Sequence, residues 1–327
     1  MTSRFCRRAL FAAVLVGAGT AVSASAAGVS KTITVAVMPK FVGVSFYTQT
    51  DDGAKCAATK LKGVKVDVTG PSSLSIPNQI SDFKDLITKH VDGIAFAASD
   101  AKALQPEAAA AMQKGIKVVN FDSGITPQGK VPLFATNNTH WAKDVADRMA
   151  KYLGSAGGHI GMLHFSPGSQ TDNERTGGFM SELKKYPKLK VVATGVDNVS
   201  AVTALSVVTN MLTAHPDITA IYAPDEEGTV GAAQAIQRAH KVGKVVLFGW
   251  DAGPDTIAVL KQGLVNSLVV QNPFKMGYDS LLATVNAIRT GSYGPSEDTG
   301  ATIVTQANLS SPAVQAVINP SCSTFKP

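Results

Sequence analysis

From Lys31 to Gln306 the chain alternates apolar, β-branched runs of strand length with helix-spaced segments, joined by short loops. The strand-like runs are 31–39, 64–68, 93–97, 116–121, 133–136, 159–165, 190–194, 218–223, 245–250, 266–271 and 302–306. Between them lie helical patterns such as 77–90, where Ile80, Phe83 and Ile87 share one face, and 101–114, 140–153, 172–186, 199–215, 230–240 and 273–290. Another helix bearing alanine and lysine follows Asp51-Asp52-Gly53. Strand, helix, strand with short loops dictates parallel sheets built from right-handed crossovers. A chain of 327 residues exceeds one ordinary core, and the pattern restarts near Val131. The expectation is therefore an α/β protein of two doubly wound lobes, each with about five or six units.

The first residues read differently. Arg4, Arg7 and Arg8 precede an apolar run from Ala9 to Val16, and Ala24-Ser25-Ala26 supplies a small-residue cleavage pattern. Gly17, Gly19 and Thr20 break the run well short of a membrane span. Residues 1–26 are read as a cleavable signal peptide, and the mature chain as a soluble periplasmic protein. Cys6 precedes the apolar run and so does not suit lipid attachment. Loss of three arginines and no acidic residue lowers the net charge from +6 to +3. With no basic run, nucleic-acid binding has no support. Two cysteines remain, Cys56 and Cys322, and in an oxidising compartment they are candidates for a disulfide pinning the C-terminal tail to the first helix.

In open parallel sheets, ligands bind outside the carboxyl ends of the strands. Those ends carry Lys40, Asp122, Asp172 with Asn173, Asp225 with Glu226, Trp250 with Asp251, and Gln271, while Phe46 and Tyr47 follow the first strand. Carboxylates and amides accept or donate in pairs to vicinal hydroxyls, and aromatic rings pack on the C–H faces of sugars. Each residue alone is equally a loop or cap residue, as expected for Asp51, Asp100 and Asp255, and Trp250 alone is equally a core tryptophan. Recurrence at strand after strand points to a small-ligand pocket.

Several stretches carry a family resemblance: Met38-Pro39-Lys40-Phe41 with Phe46-Tyr47 and Asp52-Gly53-Ala54, Val119-Asn120-Phe121-Asp122, Asn173-Glu174-Arg175-Thr176-Gly177-Gly178-Phe179, Ala223-Pro224-Asp225-Glu226, and Gly249-Trp250-Asp251. Together they resemble periplasmic sugar-binding proteins of ABC transporters, type I, in the ribose-binding class. The resemblance implies two lobes joined by a three-segment hinge. One lobe would comprise 27–135 plus 272–300, the other 136–271 plus 301–310, and 311–327 would form a C-terminal tail. Crossings would fall near Ala135-Thr136, Val270-Gln271 and Thr299-Gly300. It also implies that Phe46, Tyr47 and Trp250 sandwich a sugar whose hydroxyls bond Asp122, Asp225, Asp251 and Gln271. Asn173 falls where ribose binders carry arginine, and Ser123 replaces another arginine. Lys40, Asp122 and Thr171-Asp172-Asn173 look like the rhamnose and autoinducer-2 branch. That branch's autoinducer-2 pattern has a small residue in place of Glu226 and lacks the Trp250-Asp251 pair.

The ligand expected is a monosaccharide, deoxysugar or sugar alcohol, with an autoinducer-2-like furanosyl signal as the alternative. The implied partners are an ABC permease and a chemoreceptor; the protein is expected to be a monomer without cofactor. A sugar-processing enzyme is the rival from another class, with Asp122 and Asp251 as an acid/base pair. Against it, no dinucleotide fingerprint, nucleophile elbow or phosphate loop occurs, and the glycines of 154–161 precede a strand. The six histidines show no metal-ligand spacing. A sugar-responsive repressor would need a helix-turn-helix where the signal peptide stands.

Overall fold

The computed structural model describes residues 32–326, so the signal-peptide reading of 1–26, with Cys6, lies outside the described residues. The first lobe begins with β1 (Ile33–Met38), α1 (Ser45–Thr59), β2 (Val64–Val68), α2 (Ile76–Thr88) and β3 (Gly93–Phe96). It continues with α3 (Gln105–Gln113), β4 (Lys117–Phe121) and β5 (Leu133–Ala135). The second lobe runs through α4 (Asn138–Leu153), β6 (Gly158–His164), α5 (Gln170–Leu183), β7 (Leu189–Val196) and α6 (Ala201–Ala214). It is completed by β8 (Ile218–Tyr222), α7 (Glu226–Arg238), β9 (Val246–Trp250), α8 (Pro254–Lys261) and β10 (Ser267–Gln271). The chain returns to the first lobe with α9 (Pro273–Thr290) and β11 (Glu297–Asp298). It then supplies β12 (Ala301–Val304) to the second and ends with α10 (Pro312–Ile318).

The two sheets have the same layout. Their orders are β11-β5-β4-β3-β1-β2 and β12-β10-β9-β8-β6-β7. Every pairing is parallel except β10 with β12, where Gln271 lies opposite Ala301. The chain changes sheet after β5, after β10 and between β11 and β12, and these passages touch: Thr299 N–H donates to Ala135 O at 2.9 Å, and Thr136 Oγ1 to Gly300 O at 3.1 Å.

Alternation along the strands builds a core on each face of each sheet. From β1, Val35 and Val37 face the cluster under α1 and α9, while Ala36 and Met38 face the one under α2 and α3. In β9, Leu247 faces the α6–α7 side and Val246, Phe248 and Trp250 face α4 and α5. α1 and α9 cross with almost no gap, because a Cβ on Gly53 would lie 2.0 Å from Phe274 O and one on Gly277 1.8 Å from Thr50 O.

α1 starts at Ser45, earlier than the Asp51-Asp52-Gly53 entry read from sequence, so Phe46 and Tyr47 stand in its first turn. α3 starts at Gln105 because Asp100 Oδ1 accepts from the amides of Lys102 and Ala103, forming a turn first. Asp255 lies in the first turn of α8, whose capping position is Gly253. Cys56 of α1 is disulfide-bonded to Cys322, with Cα atoms 5.4 Å apart and a sequence separation of 266.

Candidate functional site

At the carboxyl ends of the central strands a cavity enclosing about 520 Å³ of free space, part of it open to solvent, is lined from both lobes. The first lobe contributes Lys40, Phe41, Val44, Phe46, Tyr47, Leu74 and Asp122. The second contributes Phe165, Ser166, Thr171, Arg175, Val199, Asp225, Glu226, Glu227, Asp251 and Gln271.

Each lobe brings a carboxylate on the residue that follows an equivalent strand. Asp122 follows β4, Asp251 follows β9, and both adopt the left-handed conformation, with φ of 56° and 63°. That conformation is uncommon outside glycine and clusters at functional sites, and Asp tolerates it better than most residues. In both lobes the backbone amide donates onward to the next strand, Asp122 to Phe134 O at 3.0 Å and Asp251 to Val269 O at 2.9 Å.

Each carboxylate also has a cation from its own lobe. Lys40 Nζ lies 3.1 Å from Asp122 Oδ2, which also accepts from the Tyr47 hydroxyl at 3.0 Å. Lys40 reaches across the cleft too, donating to Thr171 Oγ1 at 3.0 Å and Ser169 Oγ at 3.3 Å. Burial pushes the Lys40 ammonium down and the Tyr47 phenol up, and Asp122 opposes the first while adding to the second. In the second lobe Arg175 Nη1 is 3.9 Å from Asp251 Oδ2. The guanidinium is fixed by bonds to Asn138 Oδ1 and Pro224 O, both 2.8 Å, and lies 3.9 Å over the Trp250 ring. Gln271 Nε2 donates to Asp251 Oδ1 at 2.8 Å, leaving its own buried Oε1 without a partner. Burial raises the Asp251 carboxyl, against the pull of Arg175 and Gln271.

Three more carboxylates border the cavity from the start of α7. Asp225 caps that helix, accepting from Gly228 N–H at 3.1 Å. Behind it Asp197, fully buried, stands beside the Asp225 carboxyl, and Asp197 Oδ2 and Asp225 Oδ1 are buried without a hydrogen-bond partner. Desolvation raises both, Asp197 to about 7. Asp197 Oδ1 also accepts from Val199 N–H at 2.8 Å, holding that cavity residue at φ 56°, a strained conformation for a β-branched side chain. Burial raises Glu226 to about 8 and Glu227 to about 7, and Glu226 accepts from Ser45 Oγ of the first lobe at 3.2 Å.

Lys40, Phe46, Tyr47, Asp122, Asp225, Glu226, Asp251 and Gln271 therefore converge on one cavity. Three expected residues do not. Trp250 is fully buried and donates its indole N–H to Tyr222 OH at 3.1 Å. It shares the sheet face of Val246 and Phe248, so it is a core residue that reaches the cavity only through Arg175 stacked on it. Asp172 is fully buried and ties the β6–α5 loop, accepting from Phe165 N–H at 2.9 Å and meeting His164 Nδ1 at 3.1 Å, a bond that raises the imidazole pKa. Asn173 is exposed on α5 and lines a separate surface groove.

The arginine that the resemblance places at Asn173 is instead Arg175, one of the cavity residues not read from sequence. Its signal was helical spacing: Thr171 and Arg175 are four apart on α5 and face the cavity together. Phe165, Ser166, Val199 and Glu227 were also unread, and Phe165 supplies the second lobe's aromatic wall.

Mostly apolar walls with converging carboxylates, an amide, a lysine and an arginine suit a small molecule bearing several hydroxyls. Among the described residues no group of three or more His, Cys, Asp or Glu is arranged to hold a metal ion.

Known proteins share this architecture. Residues 35–292 match the family described as periplasmic binding protein domain. The D-allose-binding periplasmic protein of Escherichia coli (strain K12) is 32% identical over 293 residues, covering 87% of this chain and 92% of its own. The ribose import binding protein of Bacillus subtilis (strain 168) is 30% identical over 256 residues, covering 77% and 81%. A crystal structure of an ABC transporter solute-binding protein from Burkholderia graminis C4D1M, in complex with D-arabinose, superposes with a TM-score of 0.81 at 33% identity, over 86% of this chain and 98% of that one. With two lobes of identical sheet order around a shared cavity, the chain belongs to the periplasmic binding protein family and has its type I fold.

Proposed function

We propose that this protein captures a monosaccharide, deoxysugar or sugar alcohol between its lobes and delivers it to an ABC importer. The observation that carries this reading is the matched pair of ion-paired carboxylates, Asp122 with Lys40 and Asp251 with Arg175, lining one cavity from opposite lobes. A ligand that bonds both pairs is bound more tightly by the closed arrangement than by either lobe alone, and that difference drives closure. Relatives named for D-allose and ribose, and one solved with D-arabinose, support a neutral aldose over a furanosyl signal. Binding rather than turnover is the role, as in those relatives.

In this reading Lys40, Asp122, Arg175, Asp225, Glu226, Asp251 and Gln271 meet hydroxyls, while Phe46, Tyr47 and Phe165 wall the ring. The lobes are 27–135 with 272–300 and 136–271 with 301–310, followed by the tail 311–327. They bend about the passages near Ala135-Thr136, Val270-Gln271 and Thr299-Gly300. Residues 1–26 direct export to the periplasm, where the closed monomer docks on its permease and, in a second role, on a chemoreceptor.

The test is a thermal-shift screen with D-allose, D-ribose, D-arabinose and their alditols, followed by solution scattering with the best binder. A sugar should raise the melting temperature in a concentration-dependent way and reduce the radius of gyration. If no sugar or alditol shifts the melt at millimolar concentration, the reading fails.

A further inference from the structure

The three passages between the sheets are neighbours in space, so alone they leave the lobes joined along one edge. The chain after β12 adds something different. Leu309, Val314 and Ile318 bury their side chains in the second lobe's core, beside Leu268 and Val270 of β10. Within a few residues the same segment is anchored on the first lobe. Cys322 is bonded to Cys56 of α1, and the Phe325 ring sits 4.9 Å from Phe274 and 5.0 Å from Tyr278 of α9. Between the anchors, Gln49 Nε2 of α1 donates to Ile318 O at 3.3 Å.

We propose that the C-terminal segment is a fourth connection between the lobes, fastened by the Cys56–Cys322 disulfide, and that it limits how far the ligand-free cleft opens. Ile318 and Cys322 are four positions apart, a reach of at most about 14 Å when fully extended. Non-covalent docking of Phe325 alone would release under thermal motion, whereas the disulfide does not. α1 carries Phe46 and Tyr47 of the cavity, so whatever restrains α1 against the second lobe restrains the site itself. An opening that is bounded leaves fewer open conformations, raises the fraction of molecules near the binding-competent arrangement, and so raises apparent affinity. That effect on affinity rests on the capture reading above; the restraint on opening does not.

Two perturbations of the full-length oxidised protein separate tethering from local stabilisation. In the first, a site-specific protease sequence is inserted between Asn319 and Ser321 and then cut. Cys322 and Phe325 stay on the first lobe through the disulfide, but the link to α10 is gone. In the second, the uncut protein is reduced with dithiothreitol. Circular dichroism checks that both remain folded. Scattering of the ligand-free protein is expected to show a larger radius of gyration and maximum dimension in both. D-Allose, as the probe sugar, should bind roughly five-fold more weakly to the cut form. Identical ligand-free scattering in the uncut, cut and reduced proteins overturns the proposal, whatever D-allose does. Altered scattering with no D-allose binding to any form leaves the tether standing and counts against sugar capture instead.

Discussion

Asp122 and Asp251 hold backbone conformations that most side chains avoid, and they do so where two carboxylates must face one cavity. Strand ends were legible because a ligand crevice has to lie there, and Lys40, Asp122, Asp225, Glu226, Asp251 and Gln271 were found that way, at the carboxyl ends of β1, β4, β8, β9 and β10. Arg175, in the second turn of α5, was not legible, since nothing in a single sequence says which face of α5 turns toward the cleft, and Asn173 was chosen two positions away. Trp250 failed for another reason: in a parallel sheet both faces are buried, so alternation along β9 does not separate a core indole from a cavity wall. Arg175→Lys keeps the charge but loses the fork and the flat face stacked on Trp250. It should weaken D-allose binding about ten-fold or more, roughly 1.4 kcal/mol, by titration calorimetry; unchanged affinity would remove Arg175 from the site. Proton linkage gives a second test. Asp197, Glu226 and Glu227 have carboxyls raised in the folded state, so between the ordinary carboxylate range and about pH 7–8 they bind more protons folded than unfolded. Their contribution is full below the ordinary carboxylate range and is lost as pH rises through about 7 for Asp197 and Glu227 and about 8 for Glu226. Around Asp197 and Asp225 stand Asp172 and Arg175 of α5 and Glu227 of α7, and the acidic ones reinforce that trend. Melting temperatures of ligand-free protein should therefore fall between about pH 5 and pH 8, and Asp197→Asn should flatten the slope. A wild-type profile that rises across that interval contradicts the raised carboxyls of Asp197, Glu226 and Glu227.

Among elements, the crossing of α1 and α9 positions the first-lobe half of the site. Gly53 and Gly277 each meet a carbonyl of the opposite helix, Phe274 O and Thr50 O, so the helix that carries Phe46 and Tyr47 is set by the absence of two side chains. Gly277→Ala should force the pair apart at a cost of about 1–3 kcal/mol, visible as a lower melting temperature, and should weaken sugar binding as well. A variant that melts and binds like the parent would show that the contact relaxes freely. The strand–helix alternation made nearly every such element readable in advance, because buried parallel strands have to be apolar and their crossover helices amphipathic. What escaped were pieces too short for periodicity to register: the two-residue β11, the seven-residue α10, and the first turn of α1, where Phe46 and Tyr47 look like loop aromatics until Tyr47 is seen to bond Asp122.

At the scale of the whole molecule, sheet order repeats from one lobe to the other, and the cavity's ion pairs, Lys40 with Asp122 and Arg175 with Asp251, each lie within one lobe. Closure therefore joins surfaces whose central charges are already matched, and added salt should change D-allose affinity by less than about two-fold between dilute and physiological buffer. A steep salt dependence would mean that charges are first paired on closing. The disulfide has a bearing on how the protein is made. Its partners stand 266 positions apart, and Cys322 follows both lobes in chain order. The bond can therefore form only once nearly the whole chain has been made. After cleavage at the proposed site near Ala26, only one internal pairing is available, so an oxidant meeting the chain too early can join it only to another molecule. Cys6, the third cysteine of the chain, precedes that site, and a chain that kept its leader would carry a rival thiol. If residues 1–26 are removed as proposed, oxidation becomes unambiguous: protein that retains them should run as mixed disulfide species on a non-reducing gel, where protein lacking them gives a single band.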